Sequence, residues 1–206
     1  MTWDELRSTY DVVASEYETR FLHELEGKPR DRELLERFAQ FVGDPVVEIG
    51  CGPGHIGAFV RARGRRVVGL DLSGEMARRA RGRLDAALTG DMRRLPLASG
   101  RVGGLLAFYS IIHLPRDEVE GALREFHRVL RPGGRVLLSA HEGKGHVERD
   151  DFLEEKVPFI ATLFVLDELV AATTAAGLDV TLAERRPSYE TESGTVRLYV
   201  EGERRR

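Results

Sequence analysis

The stretch PVVEIGCGPGHIGAFV, residues 45–60, decides how this chain folds. Residues 46–49 form a short apolar run after a turn, the pattern of a buried strand. A turn carrying Gly50, Gly52, Gly54 and Gly57 follows, and an amphipathic helix runs over 55–63. Glycine is needed where the backbone takes positive φ or where another group comes within van der Waals reach of Cα. The helix start adds free N–H groups and the positive end of a dipole. Strand, glycine turn and helix in this order make a seat where a ligand lies against bare backbone.

Outward from this seat the chain alternates. Strands are expected at 66–71, 85–89, 103–108 and 134–139, with helices at 73–84 and 117–130 between them. Ser73 is placed to cap the helix that follows Asp71. Continuous apolar strands separated by helices imply a parallel sheet covered on both faces. Right-handed crossovers then bring every strand's C-terminal end to one edge. A helix at 166–176, stopped by Gly177, precedes two further strands at 178–186 and 195–201. The connection 187–194 is too short for a helical crossover, so this pair should be antiparallel. The expected fold is α/β, a seven-stranded sheet with the last strand reversed.

Before the glycine seat, a helix is expected over 4–26, with Tyr10, Val13, Tyr17, Phe21 and Leu25 on one face. Asp31 is read as the cap of a second helix, whose inner side carries Leu34, Leu35, Phe38, Phe41 and Val42. Residues 142–165 are polar, then mixed. Their second half, VPFIATLF, suits either the wall of an apolar pocket or the packing of an extra helix.

Composition narrows the class. The chain has 206 residues, 42% of them hydrophobic, enough for one α/β domain. A net charge of −3 carries no basic footprint of the kind nucleic-acid binders show. Cys51, the single cysteine, excludes an internal disulfide and fits a reducing compartment. The acidic start MTWDELRSTYD does not read as a signal peptide, and the longest apolar run, 103–114, is too short to span a bilayer. A cytoplasmic protein with no membrane partner is expected, and its oligomeric state stays open.

The glycines by themselves fit two ligands, a dinucleotide and S-adenosylmethionine. Asp71, at the end of the second strand, serves either through ribose hydroxyls, each a charge-assisted bond of about 1.5–3 kcal/mol. Three features separate them. Glu48, inside the first strand, would repel a pyrophosphate but suits an ammonium, directly or through the loop. Gly90-Asp91-Met92 offers an acid for an adenine amino group and an apolar cover for its ring. The chain leaves no room for the substrate domain that dehydrogenases commonly carry.

VVEIGCGPGHIG, VVGLDLSGEM, GDMRRLP, LLAFYSIIHL and VLRPGGRVLLSA, in that order, resemble the successive motifs of class I S-adenosylmethionine-dependent methyltransferases. The likeness covers residues 46–140 and thins after 141. TYDVVASEY resembles the lid helix of the family's small-molecule branch. The family's sheet has the order 3-2-1-4-5-7-6 with strand 7 antiparallel, a Rossmann-like arrangement. The resemblance implies one methyltransferase domain over 1–206, with a helical lid at 1–43 and an acceptor-side insertion at 142–165. It implies that Gly50, Cys51 and Gly52 line the methionine half of the cofactor and that Asp71 takes the ribose. Leu72 and Met76 would flank the adenine, and Asp91 and Met92 would address its amino group and ring. Phe108 and Tyr109 would border the sulfonium, and Tyr10 and Tyr17 would close over the cofactor. The sequence departs from the family at Gly103-Gly104, where an aromatic–acid pair is common.

The implied reaction is in-line methyl transfer to a small-molecule acceptor at O, N or C, with S-adenosylhomocysteine as product. A non-catalytic cofactor-binding module and an NAD-dependent oxidoreductase are the competing readings. His113 and His141 follow strands 4 and 5 and so face the reaction region, since open α/β sheets hold ligands outside the strand C-termini. His113 and Tyr109 are the catalytic candidates. His23 and His127 sit away from that edge, and His55 covers the helix start. His141, Glu142 and His146 match no compact metal motif, and no metal is expected. Tyr189, Glu190 and Arg197 are candidates to lie near the acceptor pocket.

Overall fold

The computed structural model describes residues 1–190, 192 and 194–206. Seven strands form one sheet in the order β3-β2-β1-β4-β5-β9-β8. They are β1 (Val46–Ile49), β2 (Val67–Asp71), β3 (Ala86–Thr89), β4 (Val102–Phe108), β5 (Leu130–His141), β8 (Leu178–Arg186) and β9 (Arg197–Arg204). The first five pair in parallel, while β9 runs antiparallel to both β5 and β8. This is the Rossmann-like topology the sequence leads one to expect, reversed strand included. β1 and β4 are buried along their whole length, because helices cover both faces. The helices are α1 (Trp3–Phe21), α2 (Pro29–Phe41), α3 (His55–Arg61), α4 (Gly74–Ala80), α5 (Val119–Val129) and α6 (Leu166–Ala175).

Several local expectations are corrected. The first helix stops at Phe21, and a 3-10 turn at Glu24–Gly27 carries Leu25. Asp31 does not cap α2, which starts at Pro29, a residue pre-set for the first helical position. Its carboxylate is fully buried instead. Phe41 is not on the inner side: it is 56% exposed, with the Arg135 guanidinium 5.6 Å from its ring. Segment 142–165 holds no extra helix. Its strands β6 (His146–Arg149) and β7 (Phe159–Thr162) pair antiparallel as a separate two-stranded sheet. The aromatic and β-branched residues in Phe159–Thr162 favour that choice. The final strand begins at Arg197, later than 195, because its register is fixed by pairing with Arg135–His141. The connection 187–194 includes Thr191 and Ser193, which lie outside the described residues.

Glycine also sets how closely elements approach. Gly103 has no room for a Cβ beside the backbone of Gly43, and Gly104 is closed in by Phe38 and Val42 of the α2 region. The departure at Gly103-Gly104 therefore lets α2 and its following turn lie directly on β4. Among the described residues, no helix is long and apolar enough to cross a membrane.

Candidate cofactor and acceptor site

The glycine loop hangs from β2. The Gly50 and Cys51 N–H groups both donate to the Leu70 carbonyl, at 2.7 and 3.1 Å. Gly50 and Gly52 take positive φ, 65° and 51°, a region that side chains resist. Gly50 also faces the Ser110 side chain with no space for a Cβ. Behind the loop, the buried Glu48 carboxylate accepts the Gly57 N–H at 2.9 Å. Burial raises its pKa well above the ordinary value, and neighbouring Asp71 adds to the rise. Its carboxylate thus reaches the glycine loop through Gly57.

Asp71 ends β2 and bridges loop and helix. One carboxylate oxygen accepts the Gly52 N–H and the other the Ser73 N–H, both at 2.8 Å. A carboxylate has about four lone-pair positions, and with the Leu72 N–H also directed at it at least one remains for a ligand. Burial pushes the Asp71 carboxyl up to about 6, against the pull of these backbone bonds. Ser73 caps α4 as expected, its hydroxyl accepting the Met76 N–H at 3.0 Å.

Above this floor α1 covers a cavity. Gly50, Gly52 and Asp71 form its base, Leu72, Met76, Asp91 and Met92 one wall, and Tyr10 and Tyr17 the roof. Ser110 and His113 close the far end. The roof is fastened on one flank by Asp11, which accepts from the Ser73 hydroxyl at 2.5 Å and the Glu75 N–H at 3.1 Å. Glu18 adds ion pairs to Arg79 and Arg83. On the other flank the Thr9 hydroxyl donates to the Pro158 carbonyl at 2.9 Å. Asp91 is held by Arg93 through bonds of 2.6–3.1 Å, and the same guanidinium lies 3.9 Å from the Trp3 ring.

His113 has a defined tautomer. Its Nδ1 lies 3.0 Å from the Ile160 carbonyl, an acceptor only, so Nδ1 carries the hydrogen. Nε2 then accepts from the Tyr10 hydroxyl at 2.7 Å. Burial lowers the imidazole to about 4, which keeps it neutral.

The structure thus brings Tyr10, Tyr17, Gly50, Gly52, Asp71, Leu72, Met76, Asp91, Met92 and His113 to one cavity. Glu48, Cys51, Phe108 and Tyr109 stand behind its wall. The Cys51 sulfur packs against Gly69, and burial pushes its thiol well up. Tyr109 takes φ 55° and turns its hydroxyl toward Tyr199, 3.1 Å away, and Asp31, 3.4 Å away. There it joins a buried polar network. Asp31 accepts from the Tyr199 hydroxyl at 2.5 Å and from Arg186 at 3.1 Å, and Arg186 donates to Glu192 at 2.7 Å. Lys28 lies 3.5 Å from Glu192 and pairs with Glu24, which meets His55 at 2.6 Å. His55 therefore does more than cover a helix start. Arg197 and Tyr189 belong to this network, through Glu192 and Arg186, and His141 bonds Thr195 at 2.9 Å. Sequence reasoning missed Trp3, Asp11, Asp31 and Ser110. Trp3 on an amphipathic helix was a usable signal, whereas Asp31 meets partners 155 and 168 positions away.

Residues 46–134 match the family described as a methyltransferase domain. The malonyl-[acyl-carrier protein] O-methyltransferase of Hamiltonella defensa is 36% identical over 114 residues, 52% of this chain and 43% of that protein. The ubiquinone/menaquinone biosynthesis C-methyltransferase of Rubrivivax gelatinosus is 33% identical over 139 residues, 64% of this chain and 54% of that protein. The alignments therefore span about half the length of these relatives. A solved structure, the 1,6-didemethyltoxoflavin-N1-methyltransferase of Burkholderia thailandensis with 1,6-didemethyltoxoflavin and S-adenosylhomocysteine, has the same fold. Its TM-score is 0.74 at 21% identity, covering 98% of this chain and 88% of that one. Over residues 46–134 this chain is similar to a methyltransferase domain, and over the aligned stretches to the O- and C-methyltransferases named above.

Proposed function

We propose that this protein transfers a methyl group from S-adenosylmethionine to a small-molecule acceptor and releases S-adenosylhomocysteine. The observation that carries this reading is Asp71, which braces the glycine loop and keeps spare acceptor positions inside a roofed cavity. The cavity's residues fit the cofactor: backbone at Gly50, Cys51 and Gly52 for the methionine half, and Asp71 for the ribose. Leu72, Met76 and Met92 offer apolar faces for adenine, with Asp91 at the edge. Phe108 and Tyr109 support this wall from behind. When bound, the cofactor supplies a methyl carbon activated by the positive sulfonium.

The chain's own task is alignment and exclusion of water. Holding two reactants in line contributes about 7–11 kcal/mol in favourable cases. Helix α1, strapped on both flanks, shields the cavity. We read residues 1–43 as lid and 142–165 as the acceptor side of one domain, since α1 bonds to both the cofactor side and Pro158. The acceptor atom is O, N or C, each of which occurs in the names of the similar proteins. A buried, unpaired Cys51 fits a reducing, cytoplasmic setting. Calorimetry tests the reading: S-adenosylmethionine should bind at micromolar concentration and NADH should not. Binding of NADH without S-adenosylmethionine would overturn it.

A further inference from the structure

Tyr109 joins the cofactor cavity to the buried polar network, and its backbone is strained there. β4 ends at Phe108, and the next residue takes φ 55°. A bulky side chain resists this left-handed region and keeps it only where its surroundings hold it. Ser110, one residue on, lines the cavity. Resting on the methyl-transfer reading above, we propose that Tyr109 is a positioning residue for the glycine loop. Its phenol, fastened to the Asp31 network, holds the turn that seats Ser110 against Ile49 and Gly50.

On the network side the phenol has fixed partners. Tyr199 gives its hydrogen to Asp31 at 2.5 Å, so the 3.1 Å bond between the two phenols is donated by Tyr109. Burial, with Asp31 adding to it, raises the Tyr109 hydroxyl well above its ordinary pKa, so it keeps that hydrogen. The ring lies tilted against His141 at 5.2 Å and edge-on to Phe108 at 5.3 Å. The Lys28 ammonium lies 5.4 Å from its centre. The backbone is gripped as well: the Tyr109 N–H donates to the Ser139 hydroxyl at 2.8 Å and the Ser139 carbonyl at 3.2 Å.

On the cavity side, Ser110 delivers the result. Its buried hydroxyl donates to the Ile49 carbonyl at 2.7 Å. Ile49 is the last residue of β1, directly before the loop. The Ser110 side chain also faces Gly50 so closely that no Cβ fits between them. Gly50 hangs from the Leu70 carbonyl of β2, and Ser110 supports it from β4. An ordinary extended φ at Tyr109 would continue the strand and carry Ser110 away from Ile49. The cofactor's methionine half lies on this bare backbone, where a misplacement of about 1 Å is enough to slow a reaction about 100-fold.

A double-mutant cycle tests the proposal, read by calorimetry with S-adenosylhomocysteine and by amide hydrogen exchange without it. Ser110→Ala removes the bond to Ile49. Tyr109→Gly removes the phenol and leaves the turn permitted but unheld. Each should weaken S-adenosylhomocysteine binding about tenfold. The double variant should also lose about tenfold, since both changes release the same support. Without ligand, the Gly50 and Cys51 amides should exchange about tenfold faster in Tyr109→Gly. The Val46 amide, bonded to the Arg66 carbonyl at the far end of β1, should keep its rate. Tyr109→Phe should show the same pattern at a few-fold, and takes the place of Tyr109→Gly if thermal melting shows the glycine variant unfolded. A hundredfold loss in the double variant, unchanged affinity in the folded Tyr109 variant, or equal acceleration of all three amides overturns the positioning role. If wild type binds no S-adenosylhomocysteine, the methyl-transfer reading falls, and the exchange rates alone decide whether Tyr109 supports the loop.

Discussion

Around the glycine loop, the buried acids Glu48 and Asp71 meet backbone N–H groups of Gly57, Gly52 and Ser73. Across the sheet, the buried acid Asp31 meets side chains, Arg186 and Tyr199. Both flanks bury carboxylates at the same sheet edge, with different consequences. An acid held by backbone N–H groups has no countercharge. Its carboxyl is raised by burial, and spare lone pairs remain for a visitor. An acid held by a guanidinium and a phenol is saturated by its own chain. The first arrangement is receptive and the second is a brace. Burial raises the Asp31 carboxyl as it raises Asp71, so the contrast between them lies in the partners; on the braced flank it is Glu192, gripped by Arg186, that is held down, to about 2.

The comparison can be broken most forcefully at the brace. Asp31→Ala leaves the Arg186 charge buried with Glu192 as its remaining acid, and should destabilise the fold by about 3–5 kcal/mol in urea unfolding. The double change Asp31→Leu with Arg186→Met should recover most of that loss, since an apolar pair carries no desolvation penalty. A loss below about 1 kcal/mol for the single change would show that the network braces nothing.

At the receptive flank the readout is affinity. Asp71→Ala should weaken S-adenosylmethionine binding at least tenfold, about 1.4 kcal/mol. Unchanged affinity in the calorimeter would remove Asp71 from the site. A smaller effect follows from its titration. The folded carboxyl at about 6 lies above the ordinary aspartate value of 3.8. Protonation therefore favours the folded chain, a contribution full below about 4 and lost as pH rises through about 6. Ligand binding should run the opposite way, because ribose hydroxyls need the ionised acceptor. Affinity should rise several-fold between pH 5 and 7, and Asp71→Asn should flatten that rise. The smallest effect is expected at Cys51, whose sulfur faces Gly69 and away from the cavity. Iodoacetamide should leave it unmodified in the native protein and alkylate it in urea; rapid native alkylation would place the thiol at the site after all.

The receptive flank was legible because its determinants are local. Gly50, Gly52, Asp71 and Ser73 act through backbone geometry and short spacing, and they lie where the strand and helix pattern puts them. Tyr17 shares the four-residue recurrence on α1, with Tyr10 three before Val13, and the resemblance of TYDVVASEY to a lid helix implied that both close over the cofactor. The brace was not legible. Asp31 looked like a helix cap because its sequence neighbourhood shows a turn and a proline, and nothing nearby names Tyr199 or Arg186. The strands within 142–165 were not legible for a related reason. Short apolar runs fit a helix or a strand equally, and β6 finds its ladder partner in β7 across a loop. His113 was placed at the right edge by the strand rule, but its tautomer depends on Ile160, which only the folded hairpin supplies.

One consequence of β9 lying between β5 and β8 concerns time. The bond from Tyr199 to Asp31 joins positions 168 residues apart, and β5 waits for a neighbour that comes more than fifty residues later. Contacts between distant positions form slowly, because a long loop must close before it is rewarded. The brace is therefore expected to form late in folding. A chain arrested before it forms would already hold the local glycine seat, yet lack the sheet edge on which Tyr109 is turned.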